Sequence, residues 1–299
     1  MGCQNLQILI AHPQTVRGDA RAVEDAQRLK MSDGRLRLLL GPHSPYVCPP
    51  GFLRRVAALA AERKLTVHLH MAESQEQVDN SLKAHGKTPV AHLESLGIFD
   101  GPCIAAHCLR VSDADLEIMA AHRVTAAHTP ITYMKLAMPA NDLSRFIKQG
   151  VNVAIGTDGP ASNADMDMPA AIRQTVILQK YDQRNPEAIP GDMALRMASQ
   201  NGARAMGFPN SGVIAPGMAA DITLIDTDKP HLLPRHNLVA NVVHSAKAAD
   251  VTHVMVDGKL IYREGELLTL DEARIKNIAE RGAFALVNRD MQIMREYKG

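Results

Sequence analysis

The 299-residue chain is 46% hydrophobic and 22% charged, an ordinary globular composition with room for one large domain and a small one. Lys+Arg 33 against Asp+Glu 32 leaves a formal charge of +1, which offers neither the basic field of a nucleic-acid binder nor a polybasic membrane anchor. No stretch of eighteen apolar residues occurs, MGCQNLQILIAHP has no basic-then-apolar leader pattern, and Cys3, Cys48, Cys103 and Cys108 read as reduced thiols, so a cytoplasmic protein is expected.

Short apolar runs alternate with amphipathic stretches along the first two thirds. Strands are expected at LQILIA (6–11), RLRLLLG (35–41), TVHLH (66–70), CIAAH (103–107), VTAAH (124–128) and VNVAIGTD (151–158). PGFLRRVAALAAERK (50–64) and DADLEIMAAHR (113–123) carry apolar residues at helical spacing, the first opened by Pro49-Pro50 and the second by Ser112-Asp113. Strand and helix in alternation predict a parallel sheet with right-handed crossovers.

His43, His70, His107, His128 and Asp158 each fall at or just beyond the carboxyl end of one of these strands. Barrels of the (β/α)8 type build their sites at that face, and the chain has no Gly-rich phosphate loop of the kind found in doubly wound sheets. A TIM-type barrel is therefore the expected fold for residues 1–205. From about residue 206 the pattern changes. SGVIAPGMAADITLIDTD (211–228) and DVTHVMVDGKLIYREGE (250–266) alternate and are punctuated by glycine, so antiparallel hairpins of a small β domain are expected over 206–266. HLLPRHNLVANVVHSAK (231–247) reads as an irregular connection, and residues 267–299 as a charged helical tail.

GPHSPY (41–46), HMAE (70–73), AAHC (105–108), HTPITYMKLA (128–137), GTDGPASN (156–163), PGMAADITLID (216–226) and VMVDGKLIYREG (254–265) occur in this order. Together they resemble the amidohydrolase superfamily, in particular its 5-methylthioadenosine/S-adenosylhomocysteine deaminases. The resemblance implies one divalent metal, zinc first and iron or manganese as alternatives, with His70 and Asp158 as ligands. It implies Glu73 as the proton-transfer carboxylate, His107 beside the metal-bound water and His43 against the purine nucleoside. Asp158 would also accept the water's proton. The implied reaction is attack of a metal-bound hydroxide on a 5′-modified adenosine, releasing ammonia. Ser162 lines the expected pocket or caps the next helix, and Arg21 lies where an arginine would meet the amino-acid end of homocysteine. TYMKL stands where relatives often carry SNMKL, beside the site.

The family's first-strand H-x-H has no counterpart, since His12 stands alone and His68-Leu69-His70 falls on the fifth strand. Six expected strands against the eight of a barrel imply a barrel lacking about its first two βα units, joined to part of a β-sandwich domain. A chain so built is expected to hold metal poorly and to turn over little substrate. His68 reads as a packed interior histidine, and Glu73 could instead open the following helix, where a carboxylate meets the dipole. Action on guanine or another aminated or chlorinated heterocycle stays open, as does a non-catalytic fragment or subunit. The expected partner is a small purine nucleoside; homo-oligomerisation is left open.

Overall fold

The computed structural model describes residues 7–10 and 37–287. Arg21 and His12 lie outside the described residues. Six strands form one sheet: β1 (Gln7–Ile10), β2 (Arg37–Leu40), β3 (Thr66–Met71), β4 (Cys103–His107), β5 (Thr125–His128) and β6 (Asn152–Ile155). Their order in the sheet is their order in the chain, and each neighbouring pair is parallel. Among the described strands there is no reversal of the kind that marks a doubly wound sheet, so the arrangement is consistent with a TIM-type α/β fold.

Alternation along the strands explains why the sheet folds this way. Val67, Leu69 and Met71 of β3 are buried, as are Cys103 and Ala105 of β4, Ala126 of β5 and Val153 of β6. They pack in one core against Phe52, Leu53 and Val56 of helix Pro50–Arg63, Leu116 and Met119 of helix Asp113–Ala121, and Ile172 and Val176 of helix Met168–Gln183. Burying a leucine in such a layer stabilises the fold by about 1.5–3 kcal/mol. The helix starts follow the local chemistry. Pro50 occupies the first turn of its helix, where a missing N–H costs nothing. Ser112 caps the next in a reciprocal capping box with Asp115.

A second sheet has the antiparallel order β10-β9-β8-β7, from β7 (Ile222–Ile225), β8 (Val251–Val256), β9 (Lys259–Arg263) and β10 (Glu266–Leu267). Gly212 ties the two parts together. Its φ is +87°, and a Cβ there would lie 2.6 Å from the Gln200 backbone, so only glycine allows this approach. Residues 231–247 are not wholly irregular: Leu238–His244 is a helix, because the Asn237 side chain accepts from Ala240 N and Val243 docks into the core. Helix Glu272–Leu286 presents no buried residue. No described helix is long and apolar enough to cross a membrane.

Candidate active site

The register β3–β4 sets His70 opposite Ala106 and Met71 opposite His107, so both histidines stand at the carboxyl edge of adjacent strands. Strand alternation alone would turn His107 toward the helices, with Cys103 and Ala105. Its φ of +74° swings the side chain to the other face. The His107 ring then stacks on His70, with centroids 5.4 Å apart and planes 14° from parallel. That conformation is held by the backbone carbonyl of His107, which accepts from Asn141 Nδ2 at 3.1 Å and from the Tyr133 hydroxyl at 3.5 Å. The same hydroxyl accepts from Thr129 N at 3.0 Å.

His70 is oriented by His43. The His43 carbonyl accepts from the His70 backbone N–H at 2.9 Å and from its ring Nδ1 at 2.7 Å. A carbonyl can only accept, so Nδ1 carries the proton and the Nε2 lone pair is free for a cation. The His43 ring lies 4.6 Å from that of His70 and its Nδ1 is 2.9 Å from Ser44 Oγ. Burial and the neighbouring His70 hold the His43 imidazole below its ordinary pKa.

Glu73 follows β3 and reaches back over the strand ends. Its Oε1 lies 3.2 Å from His107 Nε2. Its Oε2 accepts from the Tyr46 hydroxyl and from Gln77 Nε2, the latter at 3.1 Å. Burial alone would raise the Glu73 carboxyl, but the two donors and the imidazoles of His107 and His70 outweigh it and hold the group below the usual carboxylate range. Burial lowers His107, against the pull of Glu73.

Asp158 sits past β6 with φ +63°, its Oδ2 accepting from Thr132 Oγ1 at 3.0 Å and its Oδ1 from Gly159 N at 2.7 Å. Its charge acts on both His68 and His107. Even so, among the described residues no three His, Cys, Asp or Glu side chains are arranged to hold an ion. Ser162 is half-buried in the short helix Pro160–Asn163, and its backbone N–H bonds Gly159 O at 3.0 Å. Asn163 is turned inward, its Nδ2 donating to Thr157 O at 2.6 Å.

His68 shares a face with His70 and is driven down to about 4 by burial and then by the charges of His70 and His107. It lines a cavity of about 600 Å³ with Ile104, Ala127, Ala154, Ile222 and Met255, and neither His70, Glu73 nor His107 borders that space. His128 is 1% exposed, and neither ring nitrogen makes a hydrogen bond of ordinary geometry, although Asn141 is adjacent. It therefore faces the core and not a ligand. Cys103 and Cys108 are buried thiols, Cys103 pushed up by burial to about 12, so neither is a metal-ready thiolate.

The structure thus brings His43, His70, Glu73 and His107 together, with Asp158 within electrostatic reach. Tyr46 lies in GPHSPY, and Thr132 and Tyr133 in the TYMKL segment expected beside the site, but sequence reasoning gave none of the three a role. It missed Gln77 and Asn141, of which only Gln77 left a local signal, its i+4 spacing from Glu73 at a helix start.

Comparison with known proteins extends this picture. The 5-methylthioadenosine/S-adenosylhomocysteine deaminase of Dictyoglomus thermophilum is 44% identical over 257 residues, covering 86% of this chain and 60% of the relative. The 5′-deoxyadenosine deaminase of Methanothermobacter thermautotrophicus is 40% identical, with 86% and 60% covered. The zinc-bound crystal structure of an adenosine deaminase from Xanthomonas campestris superposes with a TM-score of 0.83 at 32% identity, over 88% of this chain and 60% of that one. The chain spans about 60% of the length of the curated relatives it matches. A model of the amidohydrolase family matches residues 11–261, and the chain belongs to that family.

Proposed function

We propose that the chain carries the catalytic face of a metal-dependent hydrolytic deaminase of 5′-modified adenosines, with 5-methylthioadenosine and S-adenosylhomocysteine as substrates and ammonia as a product. One observation carries the reading. Glu73, His70 and His107 meet at the ends of neighbouring strands, in a chain at least 40% identical to relatives named for that activity. Those names do not favour guanine or a chlorinated heterocycle. The six parallel strands are read as six of the eight of a (β/α)8 barrel, with a smaller β domain over 206–266 and a helical tail from 267.

The donor chemistry fits a divalent ion, zinc first and iron or manganese as alternatives. His70 offers a free Nε2 because Nδ1 is committed to the His43 carbonyl, and Asp158 is the second ligand. When bound, such an ion acts as a Lewis acid that makes a water acidic near neutral pH. Glu73, held ionised, takes up a proton and hands it to the purine ring nitrogen, work worth roughly 10²–10⁴ in rate. His107 keeps Nε2 beside Glu73 Oε1 and orients the attacking oxygen. His43 and Ser162 border the nucleoside, as does Arg21 in this reading.

With two ligands assigned, slow turnover is expected. The test is ammonia release from 5-methylthioadenosine, S-adenosylhomocysteine and adenosine by zinc-loaded protein, against the Glu73→Gln variant. Release from the first two that falls at least a hundredfold in the variant supports the reading. Release no greater than the variant's on all three substrates overturns it.

A further inference from the structure

Glu73 is gripped from two sides, and the grip is asymmetric. Gln77 lies one helical turn further on and engages Glu73 with both ends of its amide. The Glu73 backbone N–H donates to Gln77 Oε1 at 2.8 Å, while Gln77 Nε2 donates to Glu73 Oε2 at 3.1 Å. A backbone N–H can only donate, so the amide oxygen must face it and the NH₂ must face the carboxylate. The Tyr46 hydroxyl, from the loop after β2, donates to that same Oε2. Both donors therefore converge on one oxygen. The other, Oε1, keeps only His107 Nε2 at 3.2 Å.

Resting on the deaminase reading, we infer that Tyr46 and Gln77 are positioning residues that clamp Glu73 through Oε2 and so make Oε1 the oxygen that carries the proton. In that step an O–H bond of water breaks and one forms at Oε1. The same proton then leaves Oε1 for the ring nitrogen, restoring the carboxylate. Oε2 keeps its two acceptor bonds throughout, so the carboxyl cannot rotate between uptake and delivery. Two groups off the proton's own path thereby decide which lone pair does the work. Neither belongs to the motif that carries Glu73, since Tyr46 is 27 residues upstream.

Two readouts test the clamp. The chain has no Trp and five Tyr, so its emission is tyrosine emission, and a phenol donating to a carboxylate is quenched. Glu73→Gln should brighten the protein, and should leave the Tyr46→Phe background unchanged. An equal change in both backgrounds overturns the contact whatever the activity. In the ammonia assay, Tyr46→Phe and Gln77→Leu should each lower kcat roughly ten- to a hundredfold, the worth of a charge-assisted hydrogen bond, with KM within about twofold. Losing a donor to the carboxylate favours its protonated form, so the acid limb of the kcat profile should move to higher pH in both variants. Variants that keep the parent's kcat and acid limb overturn the positioning role while the deaminase reading stands. A parent chain that releases no ammonia, with the emission coupling intact, removes the deaminase reading and with it the proton role of Oε1, while the Tyr46–Glu73 contact stands.

Discussion

In both sheets residues with positive φ sit where a strand stops, but with different consequences. In the antiparallel sheet they make hairpin turns: Asp257 (φ 49°) and Gly258 (φ 75°) join β8 to β9, and Glu264 (46°) and Gly265 (95°) join β9 to β10. Each pair is a two-residue turn whose twist suits antiparallel strands, with glycine taking one left-handed position at little cost. In the parallel sheet the left-handed residues are Ala72, His107, Cys108 and Asp158. None is glycine, and each such residue costs on the order of 1–3 kcal/mol that its surroundings must offset. Cys108 N bonds Met71 O at 3.0 Å, Arg110 N bonds Ala72 O at 2.9 Å, and Asn141 and Tyr133 hold the His107 carbonyl. The strained ends present His107 and Asp158 and lead into Glu73, and the relaxed ends carry only the chain.

Burial differs in the same sense, and mutation should show it. Leu69 is 1% exposed in the layer between sheet and helices, whereas Leu224 of β7 is 51% exposed. Leu69→Ala should cost about 2–5 kcal/mol in urea unfolding. Leu224→Ala should stay within about 0.5 kcal/mol of the parent. Similar losses at the two positions would break the contrast between a buried and a half-open sheet.

The fold was legible where periodicity is local. All six strands of the parallel sheet coincide with apolar runs, and β3 and β4 end at His70-Met71 and His107 as their sequences suggest. Helix Leu238–His244 escaped notice because Pro234 and His236 obscure its start, and the capping Asn237 is a single residue. At the site, residue types at strand ends pointed to His43, His70, His107 and Asp158, and the family resemblance pointed to Glu73. The contacts that hold them did not show, even for Tyr133 in the TYMKL segment, because Asn141 and Tyr133 reach His107 across 34 and 26 residues. Separations of that size leave no pattern in one chain. His128 misleads for the opposite reason. It ends a strand as His70 and His107 do, but its backbone keeps the alternation, so the ring points into the core.

The Tyr133 hydroxyl gives the next largest expected effect. It accepts from Thr129 N and donates to His107 O. Tyr133→Phe preserves the packed ring but leaves the buried Thr129 N–H without an acceptor, at about 1–3 kcal/mol. Urea unfolding measures the loss, and a neutral substitution would show that the left-handed turn at His107 holds without this strut.

Acid should reveal His128. Burial, foremost, holds its ring down to about 3, well under its ordinary value of 6.5. Between those pH values the unfolded chain binds a proton that the native one refuses. This contribution is fully present above 6.5 and is lost as pH falls toward 3, by up to about 1.4 kcal/mol per unit. Unfolding curves from pH 7 to 5 should therefore be steeper in pH for the parent than for His128→Leu. Equal slopes would mean that the ring is charged or solvated in the native state.

The smallest effect sharpens the comparison most. Gly258 has φ +75° and no atom within 4 Å of where a Cβ would stand. Gly258→Ala therefore meets no steric barrier, and its cost is the left-handed backbone alone, about 1 kcal/mol. The converse exchange is Ala72→Gly, at φ +51° and 0% exposed. It relieves a backbone term of the same size but removes a buried methyl worth about 0.8 kcal/mol, so the two nearly cancel. The antiparallel sheet should thus lose about 1 kcal/mol on gaining a methyl group, and the parallel sheet should be almost indifferent to losing one. A clear destabilisation by Ala72→Gly would mean that packing, more than the bond from Arg110 N, is what keeps the strand end next to Glu73 in its strained conformation.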